Sequence, residues 1–414
     1  MLRCIFLRRT AVLTLMALLS SCLLFVMPTP AAAAPPELKL DAKSAILIDY
    51  TTGRVLFEQN ADEPIPPASL TKLMTLHLAF KKLASGEISK DDIVPIRKEA
   101  WAATMPGSSV MFLEPGQIVT VEELLKGIAI VSGNDASVAL AQYLAGSVDA
   151  FVAMMNQEAQ ELGFKTLHFA DPAGLSPENK ITAREFAQFA RYYIQQHPEA
   201  LTELHSVQEF TYPQPHNLPE DKKNTPPITQ YNRNKLLGTV PGVDGLKTGF
   251  IEEAGYNIAL TAKRGDLRLI AVILGVPGAT EEEGSARRAE EGTELLEWGF
   301  SNFVAVKPDL PEIKPVRVWK GAANQVELVP AQPVQLTVRR GTESSLTVTL
   351  HQESSVIAPV AEGQKLGELI FAADGQEVAR IDLVAANEVK QGGFFRRLWD
   401  TIRLTIIGWF TRGK

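Results

Sequence analysis

The chain reads SLTK at residues 69–72, directly before an apolar run that continues to Leu83. This run predicts a largely buried helix over residues 70–83, with Ser69 at its N-terminal end. Side chains three positions apart share one face of a helical turn, so Ser69 and Lys72 can meet. A serine hydroxyl becomes an effective nucleophile only when a neighbouring base takes its proton. The stretch therefore predicts both a helix and a candidate catalytic pair.

Two more short sequences follow in order. SGN at residues 132–134 lies at a predicted break between two apolar helices, and KTG at residues 247–249 lies on a predicted strand. Each is a weak signal alone, because Ser, Gly and Asn also favour ordinary turns. In this order they match S-x-x-K, S-x-N and K-T-G, the motif set of penicillin-binding proteins and serine β-lactamases. From about Ala45 to its C-terminus, the chain resembles the low-molecular-mass penicillin-binding proteins that act as serine D-alanyl-D-alanine carboxypeptidases.

The resemblance implies a fold and a reaction. The fold is α/β (α+β), of the penicillin-binding/β-lactamase-like transpeptidase type, with a five-stranded antiparallel sheet and an inserted helical lobe. The expected substrate is the D-Ala-D-Ala end of a peptidoglycan stem peptide, and β-lactams are expected to inhibit by acylating the same serine. We expect no cofactor, and the six histidines show no metal-binding spacing, so no metal is predicted.

The resemblance also assigns catalytic roles. Ser69 would be the nucleophile, Lys72 its base, and Ser132 the relay that passes the proton to the leaving D-alanine nitrogen. Lys72 must be neutral to act as a base, and both burial and a nearby cation lower the pKa of a lysine. Lys247 is the candidate for that cation. The backbone N–H groups of Ser69 and Phe250 would form the oxyanion hole.

Further residues are implied to bind the substrate. Asn134 would hydrogen-bond Lys72 and the substrate amide, and Gly249 would let the substrate approach a sheet edge closely. Two arginines match positions near the carboxylate-binding region of related enzymes, although a structural role is also open for each. The complete predicted set is Asn134, Lys247, Thr248, Gly249, Phe250, Arg233 and Arg288.

The chain departs from the family pattern at two places. DPAGL at residues 171–175 matches the family's N-P-x-G-L loop, with Asp171 in place of Asn, and we expect it at the rim of the site. Relatives often have His and then Thr or Ser directly after K-T-G, where this chain has Phe250 and Ile251. The second departure leaves the rate and the peptide preference open, but not the acylation machinery.

Three other functions stay open at this point. A class A β-lactamase would need a deacylating glutamate, for which the loop offers Glu178 without the usual flanking E-x-x-L-N pattern. A DD-endopeptidase would cut peptide cross-links, although relatives specialised for that usually lack an additional β-domain. A catalytically silent wall-binding scaffold is the non-enzymatic alternative, and the intact motif residues weigh against it.

The beginning of the chain predicts secretion. Basic residues at positions 3, 8 and 9 precede an apolar run over residues 11–26 and small residues at 31–34, the pattern of a signal peptide over residues 1–34. LSSC at residues 19–22 leaves lipidation at Cys22 as an alternative. The only other cysteine is Cys4, so a chain cleaved at the alanines has no thiol. The formal net charge of −7 argues against nucleic acid as a partner.

Three segments are predicted after the signal peptide: a DD-peptidase catalytic domain over residues 35–303, a small all-β sandwich domain over 304–390, and an amphipathic helix over 391–414. The last segment combines arginines with one apolar face, made of Phe395, Leu398, Trp399, Ile402, Ile406, Trp409 and Phe410. Such a helix, after the hinge-like Gly392 and Gly393, is typical of one that lies on a membrane surface. We therefore expect the protein to be anchored on the outer, periplasmic face of the bacterial cytoplasmic membrane.

Overall fold

The computed structural model describes residues 35–411, so the predicted signal peptide lies outside the described residues. The helices are α1 (Lys72–Ser85), α2 (Val121–Ile130), α3 (Asn134–Ala145), α4 (Val148–Glu161), α5 (Ala183–Gln196), α6 (Glu281–Asn302) and α7 (Phe394–Thr411). The strands are β1 (Ser44–Asp49), β2 (Val55–Gln59), β3 (Ile93–Val94), β4 (Val119–Thr120), β5 (Glu209–Tyr212), β6 (Ile228–Tyr231), β7 (Val243–Ile251), β8 (Gly255–Arg264), β9 (Leu267–Val276), β10 (Phe303–Val306), β11 (Val316–Trp319), β12 (Gln325–Val326), β13 (Leu328–Pro330), β14 (Leu336–Arg339), β15 (Thr347–Gln352), β16 (Ser355–Ile357), β17 (Lys365–Ala373) and β18 (Gln376–Ala385).

A five-stranded antiparallel sheet in the order β2-β1-β9-β8-β7 forms the centre of the first domain. Successive side chains of a strand point to opposite faces. In β1, Ile46 and Ile48 accordingly join the core with α1 and α5, whereas Ala45 and Leu47 join the core under α6. Helices thus cover both faces, and the predicted fold class is confirmed.

Strand β7, which carries the KTG sequence, lies at the edge of this sheet. The nucleophile candidate lies beside it, on a 3₁₀ turn over Ala68–Thr71 that leads into α1. The predicted helix over 70–83 therefore begins two residues later, with Lys72 as its first residue. Helix α5, which covers the sheet beside α1, was not predicted from the sequence.

The helical lobe is inserted between β2 and β7 in the chain and contains α2, α3 and α4. Thr120 and Glu123 form a capping box that fixes the start of α2. Helix α3 begins at Asn134, the last residue of the SGN sequence, so the side chain of Asn134 projects from its first turn. The lobe thereby places the SGN sequence next to the SLTK sequence.

The C-terminal domain contains a three-stranded sheet, β12-β11-β16, and a four-stranded sheet, β13-β18-β17-β15, around its own apolar core. Strand β10 pairs with β14, so backbone hydrogen bonding to the C-terminal domain begins at Phe303. The proline-containing segment 308–315 follows it in the chain. The small all-β domain is confirmed as part of the fold. The exact domain boundaries remain predictions.

Helix α7 is attached to the C-terminal domain through Asp400, which is only 1% exposed. Its carboxylate accepts hydrogen bonds from the backbone N–H of Lys320 (2.7 Å) and from Nε of Arg396 (3.2 Å). Gly392 is packed as well, since a Cβ there would lie 2.8 Å from the carbonyl oxygen of Gly321. This glycine is thus part of a close contact rather than the predicted hinge.

The apolar side of α7 is open to solvent. Exposed side chains on it are Phe395, Leu398, Trp399, Ile402, Ile406 and Trp409, while the side chain of the predicted Phe410 lies outside the described residues. Between residues 35 and 411, no single helix has both the length and the apolar character needed to cross a bilayer. By length and apolar character alone, the α3–α4 pair, which is bent by 83°, could cross a bilayer.

Candidate active site

Lys72 and Ser69 form a direct hydrogen bond at the start of α1. Nζ of Lys72 donates to Oγ of Ser69 at 2.8 Å. It also donates to Oδ1 of Asn134 and to the carbonyl oxygen of Ala173, both at 2.6 Å. The lysine side chain is completely buried, so these three acceptors replace the water that it has lost.

Burial is the main cause that lowers the pKa of Lys72, to about 7. The carboxylates of Asp171 and Asp135 act in the opposite direction, because negative charge favours the ammonium form. Burial is also the main cause that lowers the pKa of Lys247, which falls well below its usual value. Repulsion by Lys72, Arg288 and Arg233 lowers it further. Both lysines are therefore held in surroundings that favour the neutral amine.

Ser132 and Lys247 form a second serine–lysine pair. Nζ of Lys247 donates to Oγ of Ser132 at 3.0 Å and to the carbonyl oxygen of Thr248 at 3.1 Å. Ser132 has φ = 62°, in the left-handed region that side chains other than glycine seldom adopt. The turn between α2 and α3 thus holds this hydroxyl in place at a cost in backbone strain.

Asn134 joins the helical lobe to the Lys72 side chain. Its amide nitrogen donates to Oγ of Ser108, and its backbone N–H donates to the carbonyl oxygen of Ser109 at 2.8 Å. These two serines were not predicted from the sequence as part of the site. The available signal was the GSS sequence at residues 107–109, a small and polar stretch that no helix or strand pattern explains.

Gly249 lies against the segment that carries the nucleophile. A Cβ at this position would lie 2.8 Å from the carbonyl oxygen of Pro67 and 3.0 Å from the backbone nitrogen of Ser69. The predicted reason for this glycine was close approach by the substrate. In the structure, the chain's own 67–69 segment makes the close approach and so places the N–H of Ser69 next to β7.

The other predicted binding residues surround the end of β7. Thr248 is buried, and Phe250 is 45% exposed with its ring stacked on Tyr256 at a centroid distance of 4.3 Å. Arg288 is buried and donates to the carbonyl oxygen of Gly249 at 3.3 Å. Arg233 is exposed. Both arginines contribute positive charge at Lys247, so the structure brings all the predicted residues to one region.

The DPAGL loop contacts the first turn of α1 from the side. The carbonyl oxygen of Pro172 accepts a hydrogen bond from Oγ1 of Thr75 at 2.7 Å, and the next carbonyl, of Ala173, accepts from Lys72. Gly174 has φ = 84°, and a Cβ there would overlap the carbonyl group of Ala68. Glu178, further along the loop, is exposed and so lacks the enclosed setting that a deacylating glutamate requires. Within residues 35–411, no cluster of three or more His, Cys, Asp or Glu side chains could hold a metal ion.

Fold and motif geometry together define a low-molecular-mass penicillin-binding protein, and comparisons with known proteins agree. Residues 29–278 match the family model described as D-alanyl-D-alanine carboxypeptidase, and residues 309–391 match that of the penicillin-binding protein 5 C-terminal domain. The D-alanyl-D-alanine carboxypeptidase DacC of Escherichia coli is 38% identical over 94% of this chain and 95% of its own length. DacF of Bacillus subtilis is 37% identical over 88% and 90%, respectively.

Solved structures give the same result. Penicillin-binding protein 5 from Haemophilus influenzae superposes with a TM-score of 0.75 at 35% identity, over 87% of this chain and all of its own. Penicillin-binding protein 6B from Escherichia coli superposes with a TM-score of 0.67 at 34% identity, over 86% of this chain and 98% of its own. The chain belongs to the D-alanyl-D-alanine carboxypeptidase family, which confirms the predicted family and enzyme class.

Proposed function

We propose that this chain removes the terminal D-alanine from peptidoglycan pentapeptide stems through an acyl-enzyme on Ser69. The observation that carries the proposal is the buried contact between Lys72 and Ser69, with the lysine pKa at about 7. A base is most effective when its pKa is near the working pH, because it is then both available and strong enough. The family's carboxypeptidase chemistry requires such a base.

The neighbours of Lys72 suit the neutral amine as well as the ammonium ion. The oxygens of Asn134 and Ala173 can only accept hydrogen bonds here, so they take the two N–H groups of the neutral amine. The remaining lone pair then faces Oγ of Ser69 and can take its proton. Two fixed acceptors thus orient the base towards the nucleophile.

Acylation follows from this arrangement. Lys72 takes the proton as Oγ of Ser69 forms a bond to the carbonyl carbon of the penultimate D-alanine. The carbonyl electrons move to oxygen, which the N–H groups of Ser69 and Phe250 would stabilise. When the C–N bond breaks, the leaving nitrogen takes the proton of the Lys72 ammonium group through Ser132, so D-alanine departs and Lys72 is neutral again. Water then attacks the ester and gives a proton to Lys72, which passes it to Oγ of Ser69 as the ester bond breaks and the tetrapeptide stem leaves.

The edge of the sheet is the proposed binding surface. A peptide can extend a sheet by hydrogen bonding to a free edge strand, and β7 has that position. Positive charge from Arg233 and Arg288 acts at Lys247 on this strand and suits the substrate's terminal carboxylate. Thr248 would contact that carboxylate. β-Lactams would acylate Ser69 because they mimic the same dipeptide.

The two ends of the chain support a place outside the cytoplasmic membrane. Residues 1–34 have the composition of a signal peptide, and α7 presents exposed aromatic and aliphatic side chains beside arginines. Such a helix binds a membrane surface with its apolar side in the interface. Residues 304–390 would then connect the catalytic domain, residues 35–303, to the periplasmic face of the membrane.

The test is mass spectrometry of the purified chain from residue 35, incubated with diacetyl-L-Lys-D-Ala-D-Ala, with a Ser69→Ala control. Release of one D-alanine that is lost in the control would support the proposal. A stable penicilloyl adduct on Ser69 without release would indicate endopeptidase action or a site weakened by Phe250 and Ile251. Absence of both would favour the scaffold alternative, and rapid hydrolysis of penicillin without peptide cleavage would favour a β-lactamase.

A further inference from the structure

Phe250 presents part of an aromatic ring to solvent at the end of β7, where relatives often have histidine. The side chain is 45% exposed. The covered side of its ring stacks on Tyr256 of β8, with the centroids 4.3 Å apart and the planes at 27°. The two residues are direct cross-strand partners in the β7–β8 pair, and such aromatic pairs stabilise a sheet. Packing against Tyr256 therefore accounts for one side of the Phe250 ring and leaves the rest uncovered.

Tyr256 holds this aromatic pair in a fixed place. Its hydroxyl donates to the carbonyl oxygen of Thr280 at 2.9 Å, and its side chain is buried. Its ring also lies directly on α6, because a Cβ at Gly284 would overlap the ring atoms. The uncovered part of Phe250 is thus a preformed apolar surface, and a preformed surface binds a ligand group with little loss of conformational freedom.

The Phe250 ring lies beside the place proposed for the substrate's terminal carboxylate. Thr248 and Phe250 are two positions apart on β7, so their side chains project from the same face of the strand. Arg288 lies against the backbone between them, where it donates to the carbonyl oxygen of Gly249 at 3.3 Å. Positions two apart on a strand are separated by about 7 Å, and a branched side chain spans more of that distance than a methyl group does. A last residue held by its carboxylate at Thr248 can therefore reach the ring with a longer side chain.

We propose that the site favours stem peptides whose last residue is a D-amino acid with an apolar side chain larger than a methyl group, and that Phe250 is the residue that selects them. This inference rests on the proposed function, because the reaction is the same hydrolysis. Water is added across the bond between the penultimate D-alanine and the last residue, and a free D-amino acid leaves. The carboxylate is common to all such residues and cannot distinguish them, whereas a side chain in contact with the ring can.

The experiment measures kcat/KM for diacetyl-L-Lys-D-Ala-D-Leu and for the same peptide ending in D-Asn, by mass spectrometry of the released amino acid. The side chains of leucine and asparagine have nearly the same size and shape, so the ratio of the two values reports polarity. We expect a ratio of about ten in favour of D-Leu, because contact with the ring removes apolar surface of the leucine from water. D-Leu should also be released at least as efficiently as D-Ala.

Phe250→Ser should reduce this ratio to about one, because the apolar surface is lost. A displaced backbone at residue 250 would lower both values equally, so the ratio separates the side chain from a general loss of activity. Phe250→Leu keeps an apolar side chain and should keep most of the ratio. Leu175→Ser is the matched control: Leu175 is 50% exposed but belongs to the DPAGL loop, and its substitution should leave the ratio at the wild-type value. Equal falls in Phe250→Ser and Leu175→Ser would overturn the proposal.

The outcomes separate this inference from the proposed function. If the wild type releases D-Ala through Ser69 but releases D-Leu and D-Asn equally well, the inference fails and the proposed function stands. The same holds if the ratio survives in Phe250→Ser. If the wild type releases no residue from any of the three peptides, the proposed function fails and the inference fails with it. Should Phe250→Ser not fold, Phe250→His keeps a flat but more polar ring on Tyr256, and it should lower the ratio by about threefold.

Discussion

Nζ of Lys247 lies 3.0 Å from Oγ of Ser132, a residue whose φ of 62° places it in the left-handed region. The strained turn holds the hydroxyl group against the lysine, so position 132 combines a chemical role with a conformational cost. A glycine adopts this backbone conformation without strain. The site therefore allows the two contributions to be separated by substitution.

Ser132→Gly should lower the rate of D-alanine release by about a hundredfold, because the proton relay to the leaving group is lost. The free energy of unfolding should rise by about 1 kcal/mol, since the left-handed conformation no longer strains the chain. Ser132→Ala is the control: it loses the same activity but keeps the strain. Peptide hydrolysis and urea unfolding measure the two effects. Wild-type activity in Ser132→Gly would exclude the relay.

The pH dependence of acylation should report Lys72. Acylation by a fluorescent penicillin should rise with pH around a midpoint of about 7, because only the neutral amine takes the Ser69 proton. Lys72→Arg should lose the reaction, since a guanidinium stays protonated throughout this range. If the acylation rate of Lys72→Arg still rose with pH around the wild-type midpoint, but to a lower maximum, the titrating group would not be Lys72.

Gly249→Ala should lower acylation by about a hundredfold. The added methyl group would lie 2.8 Å from the carbonyl oxygen of Pro67, so the segment carrying Ser69 has to move. Gly393→Ala is the matched control, because a Cβ at that glycine meets nothing within 4 Å. Equal acylation rates in the two variants would show that the contact between β7 and the 67–69 segment is not needed.

The sequence predicted those parts of the site that depend on side chains in short motifs. Ser69, Lys72, Ser132, Asn134 and Lys247 converge in the structure, and the KTG sequence lies on a strand, β7, as predicted. Side-chain type and local periodicity are both visible in a sequence. The central sheet, which the family resemblance implies, and helix α1 on one of its faces were therefore predicted.

The parts that were missed depend on the backbone and on long-range contacts. The carbonyl group of Ala173 orients Lys72 from 101 positions along the chain, and a carbonyl group leaves no mark in a sequence. Strand β16 escaped prediction because it has only three residues and gains its stability by pairing with β11. Helix α5, in contrast, had a signal: Thr182 caps it, with Glu185 three residues later.

A buried histidine supports the strand that carries the KTG sequence. Nδ1 of His205 lies 3.0 Å from the carbonyl oxygen of Leu246, which can only accept, so this nitrogen carries the proton. Nε2 then accepts from the hydroxyl of Tyr193 at 2.9 Å. Burial lowers the pKa of His205 to about 4 from 6.5, so the folded protein keeps the ring neutral.

Stability should therefore fall as the pH drops from about 6.5 to about 4. In this window the unfolded chain binds a proton at His205 that the folded chain does not, and the resulting loss is roughly 3 kcal/mol. Urea unfolding at several pH values measures it. His205→Asn keeps a hydrogen-bonding side chain without this titration, and its stability should depend less on pH. Parallel curves for the two proteins would contradict this account.

Membrane binding should depend on the exposed side of α7. The chain from residue 35 should sediment with phosphatidylglycerol vesicles, and Trp399→Ser should weaken binding by roughly tenfold or more, because burying a large apolar side chain contributes about 2 kcal/mol. Trp399 is 61% exposed, so its substitution should not disturb the fold.

Ile93→Ser provides the matched control, since Ile93 is 52% exposed but lies on β3 in the catalytic domain. It should bind vesicles as the wild type does.

Because Asp400 fixes the first half of α7 to the C-terminal domain, the apolar side has a set direction relative to that domain. Asp400→Asn should therefore leave vesicle affinity nearly unchanged but loosen the helix, measured as faster proteolysis after Gly393. Equal binding by Trp399→Ser and the wild type would show that α7 covers another surface instead.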